Sequence, residues 1–412
     1  MKGLKEVADF VRENDGFVVV SHYDADGLAA AGIAGLMLKR LGKKYKYLPT
    51  KSLDSQRIRD IAKHGDVFLF VDLGSGSVSA IEEGLAGKKY AITDHHPPQK
   101  QGEAPHFNPC FSGYDGSFEV SGSGAVYLVA REIDERNKDL AKIAVVGAVG
   151  DMQDQHGKLV GLNRKILQDG IDAGELETRV DIRLFGRHSR PLTQFLVYCT
   201  DPFLPGLTAN EEGSHAFITS LGIPLKDGDK WRYYCDLNED EKKRFVSAVY
   251  VHAKQSGAPE FILRSLVGEV YELKCEPHRS ELRDAKEFST VLNACGRNDE
   301  GVVGIMVCEG DRHAYWKKAR ALLQKHRQSL CDGIRLIQEN GAEEMGSIYV
   351  IDGGKEIKDT IIGTVAGMLY GSGDIKQDKP VIGLSVDEDG MLKVSGRATR
   401  NLVRRGLHLG EA

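Results

Sequence analysis

Residues 21–27 read Ser-His-Tyr-Asp-Ala-Asp-Gly, which sets His22, Asp24 and Asp26 at spacings of two. Imidazole and carboxylate both ligate metals, so the stretch has the composition of a cation site. The same residues also fit a helix capped by Asp26, with His22 as a turn residue. Similar polar clusters recur after later apolar runs. Residues 67–71 end in Asp72-Leu-Gly-Ser-Gly, residues 89–93 in Asp94-His95-His96, and residues 143–150 in Asp151, with Asp154 close behind. Four or five carboxylates in one place repel one another, and burying them unpaired is costly. One or two divalent cations remove that cost. Asp and His without Cys suit manganese, with magnesium, iron or cobalt as alternatives. A closed zinc site more often carries fewer carboxylates.

Such a site needs elements that bring distant segments together. Phe17-Val-Val-Val20 reads as a buried strand and Gly27–Leu41 as the helix after it. Gly27 permits the tight turn between them. A strand over 44–48, a short helix over 55–63, a strand over 67–71, a helix over 78–85 and a strand over 90–93 continue the alternation. A Pro- and Gly-rich loop follows over about 97–122, with helices from near Gly124 and near Leu140. The alternation predicts an α/β fold with a parallel, helix-covered sheet. The carboxyl ends of parallel strands share one edge, where ligands bind. His22, Asp72 and Asp94–His96 therefore converge on one crevice. Asp151 reaches it from the fourth apolar run, whose Gly147, Ala148 and Gly150 allow close approach.

The chain has 412 residues, 41% hydrophobic and 28% charged, enough for two or three domains with proper cores. No apolar run nears the roughly 20 residues of a membrane span, and the N-terminus carries no signal-length apolar segment. A cytoplasmic location without membrane contact is expected. Seven cysteines without CxxC spacing indicate neither a disulfide framework nor a zinc cluster. A net charge of -5 means that a nucleic-acid partner would be held by a local basic patch.

His22-x-Asp24-x-Asp26-Gly27, Asp72, Asp94-His95-His96 and Asp151, taken in order, resemble the four N-terminal motifs of the DHH phosphoesterase family. The resemblance implies two ions, manganese first and magnesium or cobalt as alternatives. His22, Asp24 and Asp72 would hold one ion. Asp26, Asp72, His95 and Asp151 would hold the other, with Asp72 bridging. It also implies that His96 contacts the scissile phosphate or donates a proton, and that Asp94 orients a histidine. Two ions about 3.5–4 Å apart serve an in-line displacement by water. No elbow serine or activated cysteine stands out as a rival nucleophile.

Residues 181–196 and Asp201-Pro-Phe-Leu-Pro-Gly206 resemble the archaeal RecJ-like exonucleases, some of which associate with the GINS complex. Arg183, Arg187 and Arg190 there are either solvated or paired with the site's carboxylates. The span 191–285 reads as a mostly helical connector. Thr208 with Glu211, and Asn238 with Glu241, have capping-box spacing. From 286 a smaller mixed α/β unit is expected. It has strands at 304–308 and 347–351, a helix over 313–340, and a hairpin of 380–386 with 391–394 around Asp387-Glu-Asp-Gly390. Phe288–Arg297, with Asn293 and Arg297, resembles the substrate-side motif of the family's DHHA1 domain. Ser395-Gly396-Arg397 resembles its phosphate grip, where an arginine fork suits a phosphate oxygen. Arg400, Arg404 and Arg405 extend the basic cluster. The family's Gly- and His-rich loop does not follow before Ala412, so the DHHA1-like domain is expected to be incomplete.

The expected organisation is thus a catalytic domain over 1–190, a connector over 191–285 and a substrate domain over 286–412, with the site in a cleft between. The leading functional expectation is a manganese-dependent exonuclease on single-stranded DNA or RNA. The alternatives are a phosphoesterase for nanoRNA, cyclic dinucleotide or adenosine bisphosphate, and a GINS-binding replisome scaffold.

Overall fold

Phe17–Val20 carries three β-branched residues and no polar group, which suits a strand covered on both faces. In the computed structural model these residues are fully buried in β1 (Phe17–His22). The structure describes all residues except Thr200, Asp201, Gly373, Asp374, Glu388, Asp389, His408 and Gly410–Ala412. Asp201, the hairpin tip at 388–389 and the last three residues, to which sequence readings were attached, lie outside the described residues.

Helix α1 (Leu4–Glu13) precedes β1, and α2 (Ala25–Arg40) follows it. Then come β2 (Tyr45–Thr50), α3 (Ser55–Ala62), β3 (Val67–Val71), α4 (Val78–Gly84), β4 (Lys89–Thr93) and the short β5 (His106–Phe107). The five strands pair in parallel in the order β2-β1-β3-β4-β5. Ile58, Ile61, Phe68, Phe70, Val78, Ile81 and Ile92 form a core between this sheet and the helices α3 and α4. Helices α5 (Gly122–Ile133), α6 (Ala141–Gly150) and α7 (Gly161–Asp172) complete the anticipated α/β layer. Helix α2 is apolar nearly all round and correspondingly buried, packed on α5 and α6.

The next elements are β6 (Leu176–Ile182), α8 (Leu192–Val197), α9 (Glu211–Ser220), β7 (Lys226–Asp227), β8 (Lys230–Trp231), α10 (Glu239–Gln255), α11 (Glu260–Leu266) and β9 (Val267–Leu273). Then follow α12 (Ala285–Arg297), α13 (Gly301–Cys308), α14 (Ala314–Asn340), β10 (Glu343–Met345), β11 (Ile348–Asp352), α15 (Ile362–Ser372), β12 (Val381–Val386), β13 (Leu392–Arg397) and α16 (Arg400–Arg404). The chain divides into two compact units. One comprises Met1–Arg190, Tyr233–Lys242 and Pro259–Leu322; the other holds Pro191–Arg232, Lys243–Ala258 and Leu323–Ala412.

This division differs from the three consecutive parts expected. Residues 304–308 form a helix, not a strand, because an eight-residue apolar run is compatible with either and packing decides. Helices α12 and α13 pack on α2 in the first unit. Gly32 admits α13 there, since a Cβ on it would stand 2.6 Å from the Cβ of Cys308. The connector is also divided. β9 returns to pair antiparallel with β6, from Leu176 opposite Leu273 to Ile182 opposite Val267. Asn238 and Glu241 do form the reciprocal box, each side chain accepting from the other's backbone N–H at 2.9 Å. Helix α9, by contrast, is capped by Asn210, which accepts from Gly213 N at 2.8 Å, and not by Thr208.

In the second unit the sheet order is β10-β11-β12-β13, with β11 and β12 parallel and β12 and β13 an antiparallel hairpin. Its core includes Tyr349, Ile351, Ile362, Val365, Leu369 and Val381. All seven cysteines are free thiols. Among the described residues no helix is long and apolar enough to cross a membrane.

Candidate metal centre

Parallel pairing puts the carboxyl ends of β1, β3 and β4 side by side, with Ser21 opposite Val71 and Val71 opposite Thr93. The residues that follow are His22, Asp72 and Asp94–His96. Asp24 is the cap of α2, accepting from Gly27 N at 3.0 Å. That leaves Asp26, one turn in, to face inward. Its Oδ2 accepts from Gly122 N at 2.6 Å, and its Oδ1 accepts from Ser123 N at 3.0 Å and from the Ser123 hydroxyl. These donors stand at the start of α5, where free N–H groups and the helix dipole favour a negative charge. Gly147 of α6 passes Asp26 so closely that a Cβ would meet its Oδ1.

Asp72 adopts a left-handed φ of 59°, a conformation that Asp tolerates better than most residues. Its N–H donates to Thr93 O at 2.9 Å, so the strand-end pairing holds the turn. The carboxylate is 2% exposed. Among the described residues, Asp72 Oδ1 accepts no hydrogen bond.

His95 explains that orphan. Its Nδ1 lies 2.7 Å from Gly116 O, which can only accept, so Nδ1 carries the proton. In the neutral ring Nε2 then presents a lone pair to Asp72 Oδ1 at 3.2 Å, Asp26 Oδ2 at 3.8 Å and Asp151 Oδ2 at 3.9 Å. Four lone-pair-bearing atoms facing one another require a proton or a cation among them. Burial and the charge of Asp26 push the Asp72 carboxyl well above the usual range. The same two causes push Asp151 up to about 6. Burial opposes a charge on His95, but the contact with Asp72 and the charges of Asp72, Asp26 and Asp94 outweigh it and raise its pKa.

His22 Nδ1 is 2.9 Å from Asp24 Oδ2 and 4.0 Å from Asp72 Oδ2. His22-Asp24-Asp72 and Asp26-His95-Asp151 therefore form two neighbouring sets, each compact enough for one ion, with Asp72 facing both. Asp94 plays a different part. Its Oδ2 accepts from Ser75 N at 2.8 Å, and its Oδ1 accepts from His95 N at 2.7 Å and His96 Nδ1 at 2.8 Å. Burial works against its charge, yet these hydrogen bonds, led by that of His96, hold its carboxyl below the usual range. Half-exposed His96 is thus tied at Nδ1, and Nε2 is its nitrogen left for a ligand.

The other candidates fall elsewhere. Asn293 on α12 accepts from Ala25 N at 3.0 Å and so braces the turn after β1. Gly296 lies against the Tyr23 carbonyl, and Arg297 ends the same helix. A cavity of about 440 Å³ opens beside Tyr23, lined by Lys51, Arg57, Asp299 and Glu300 among others. Ser395, Gly396 and Arg397 belong to the second unit, on β13. The arginines of 181–190 do not join the metal centre. Arg183 pairs with Asp154 at 2.5 Å, which also keeps Asp154 out of it. Buried Arg187 bonds Asp284, Glu272 and Asp181 at 2.7, 2.8 and 3.1 Å, and Arg190 stacks 4.6 Å from the Phe185 ring. Sequence reasoning missed Gly116, Gly122, Ser123 and Gln153. The Ser121-Gly-Ser-Gly124 run was the available signal, a helix start built for close approach.

The carboxylate- and imidazole-lined edge of the parallel sheet thus carries compact side-chain sets that could hold metal ions. Residues 16–148 match the N-terminal domain of the DHH family and residues 184–267 match the DHH-CID domain. An uncharacterised protein of Methanocaldococcus jannaschii is 30% identical over 421 residues, covering 100% of this chain and 88% of that protein. The chain belongs to the DHH family. Its fold is that of two solved structures at low identity. CDC45 from Entamoeba histolytica matches with a TM-score of 0.65 at 14% identity, over 96% of this chain and 88% of that one. RecJ from Thermus thermophilus, solved in complex with Mn2+, matches with a TM-score of 0.56 at 18% identity. That match covers 98% of this chain, which spans only 53% of the RecJ chain.

Proposed function

We propose that this chain is a metal-dependent, single-strand-specific exonuclease that hydrolyses phosphodiester bonds of DNA or RNA. One observation carries the reading: the His95 Nε2 lone pair is aimed at three carboxylates, one of which has an oxygen with no other partner. The donor set fits hard divalent ions such as manganese or magnesium. His22, Asp24 and Asp72 would hold one ion, and Asp26, Asp72, His95 and Asp151 the other. Bound there, the ions would supply a deprotonated water at neutral pH and neutralise charge on the phosphate.

The protein's own groups do the rest. Asp94 fixes the His96 ring through Nδ1, so Nε2 can donate to a phosphate oxygen or to the departing oxygen. Asn293 holds the turn that carries Tyr23 and Asp24. Arg297 and Ser395-Gly396-Arg397 are assigned to the substrate phosphates, by their likeness to the DHHA1 motifs.

The fold match to CDC45 favours a second reading, a replisome scaffold that binds a GINS-type partner. A scaffold has no need of the complete ligand sets. The test incubates single-stranded DNA, single-stranded RNA, duplex and dinucleotides, each end-labelled, with Mn2+. Release of mononucleotides from single strands and sparing of duplex is expected. Cleavage of dinucleotides alone would replace the reading with the small-substrate one. No cleavage, with tight GINS capture, would favour the scaffold.

A further inference from the structure

Gln153 is 1% exposed and lies two residues beyond Asp151, outside every ligand set above. Helix α6 ends with a left-handed residue, Met152 at φ 58°, and Gln153 N donates back to Ala148 O at 3.0 Å. This helix-ending turn folds the Gln153 side chain under the site. Its Nε2 lies 2.7 Å from Gly116 O, 3.0 Å from Val120 O and 2.8 Å from Asp151 Oδ2. All three are acceptors, so the NH2 end must face them. Asn163 fixes the other end, its Nδ2 donating to Gln153 Oε1 at 2.5 Å while its own Oδ1 accepts from Ser121 N at 3.3 Å.

Gly116 O is the atom to which His95 Nδ1 donates. One buried amide therefore touches the carbonyl that orients His95 and the carboxylate of Asp151. Through Val120 O it also steadies the approach to Gly122 and Ser123, which hold Asp26. No hydrogen bond runs from Gln153 to His22, Asp24 or Asp72 among the described residues. We propose that Gln153 is a positioning residue for the Asp26-His95-Asp151 ion alone, setting its affinity independently of the His22-Asp24-Asp72 ion. This rests on the two-ion reading above.

The full-length protein is titrated with Mn2+ by calorimetry, as wild type, Gln153→Met, Asp151→Asn, His22→Ala and the doubles of Gln153→Met with each. Loss of an orienting hydrogen bond to a metal ligand lowers affinity by about 10–100-fold. Gln153→Met is expected to weaken one of two equivalents by at least about tenfold. It should add less on Asp151→Asn, where only the route through the Gly116 carbonyl to His95 remains, and have its full effect on His22→Ala. Equal weakening of both equivalents, or of neither, overturns the proposal. Nitrogen-15 NMR of the metal-free protein gives an independent arm. At a pH high enough to keep the His95 ring neutral, the wild type should show it protonated at Nδ1, and Gln153→Met should show mixed tautomers. An unchanged His95 tautomer in the variant overturns the proposal too. If the wild type binds no Mn2+, the two-ion reading fails, and the tautomer arm still decides the role of Gln153. Should Gln153→Met not fold, Asn163→Ala releases the other end of the amide and should give a smaller loss at the same single equivalent.

Discussion

The most searching perturbation of the site removes no ligand at all. Gly122 is the first residue of α5 and lies against Asp72; a Cβ there would stand 2.5 Å from the Cβ and Cγ of Asp72. Ordinary van der Waals contact begins at 3.4 Å. In Gly122→Ala the Asp72 carboxylate, proposed to bridge the ions, must therefore retreat by roughly 1 Å, and a misplacement of that size costs about 10²-fold in rate. Gly122 has no positive φ, so alanine is not strained by the backbone. Replacing a helical Gly instead restrains the unfolded chain, a gain of about 0.4–1 kcal/mol. The Asp72 Cβ cannot move without its backbone, so the expected result is a folded variant destabilised by about 1–3 kcal/mol. Its kcat/KM for Mn2+-dependent hydrolysis of end-labelled single strands should fall by about 10²-fold or more. A folded Gly122→Ala with activity within about threefold of wild type would refute the placement of Asp72 at the centre of the chemistry.

Other expectations follow from the same geometry. Asp72→Asn should abolish hydrolysis yet raise the melting temperature of the metal-free protein, because it removes one of several mutually repelling buried carboxylates. Chelation should abolish activity, and Mn2+ at 100 times its dissociation constant should restore it and add about 2.7 kcal/mol of stability per site, read by thermal melts. Arg187→Met leaves Asp181, Glu272 and Asp284 buried without their shared cation, and should cost about 3–5 kcal/mol in denaturant unfolding. The same cluster predicts acid lability. Burial opposes the Glu272 charge, but His188 and Arg187 lower its pKa below the ordinary 4.5. The stability this contributes is present above about pH 4.5 and is lost as pH falls below it. In Arg187→Met, stability should decline less steeply as pH falls below about 4.5. Arg397→Ala should raise KM for single strands while leaving Mn2+ affinity unchanged in calorimetry.

The convergence of the candidate ligands was legible in the sequence because most of them follow strands, and strand direction is a strong constraint. Once Phe17–Val20, Val67–Val71 and Lys89–Thr93 read as parallel strands, His22, Asp72 and His95 had to share an edge. The residues that hold those ligands were not legible. Gln153, Ser123 and the Gly116 carbonyl act through hydrogen bonds that close only after the 97–122 loop is placed, and loop placement has no periodicity to read. Helix α13 was misjudged because Gly-Val-Val-Gly-Ile-Met-Val-Cys is apolar at every position and carries neither a helical nor a strand period. The ribbon of β6 and β9 went unseen for the opposite reason. Leu-Glu-Thr-Arg-Val-Asp-Ile leaves Val180 70% exposed and buries Asp181 against Arg187, so its pattern is inverted by an ion-pair cluster from distant segments.

The two buried charge clusters of the first unit differ in a way that bears on function. Around Arg187 the carboxylates meet guanidinium groups, so the arrangement is complete within the chain. Around Asp72 they do not. Asp26 finds its donors at the start of α5, whereas buried Asp72 faces no guanidinium or ammonium group among the described residues, only imidazoles and further carboxylates. Such an arrangement lowers the stability of the unloaded fold, and neutral side chains at the same positions would relieve it. A purely structural partner protein gains nothing from that cost. A chain that binds divalent ions turns the same repulsion into affinity, because each ion discharges it. The unbalanced charge is therefore the physical reason the proposed metal-dependent phosphoester chemistry is preferred to scaffolding alone.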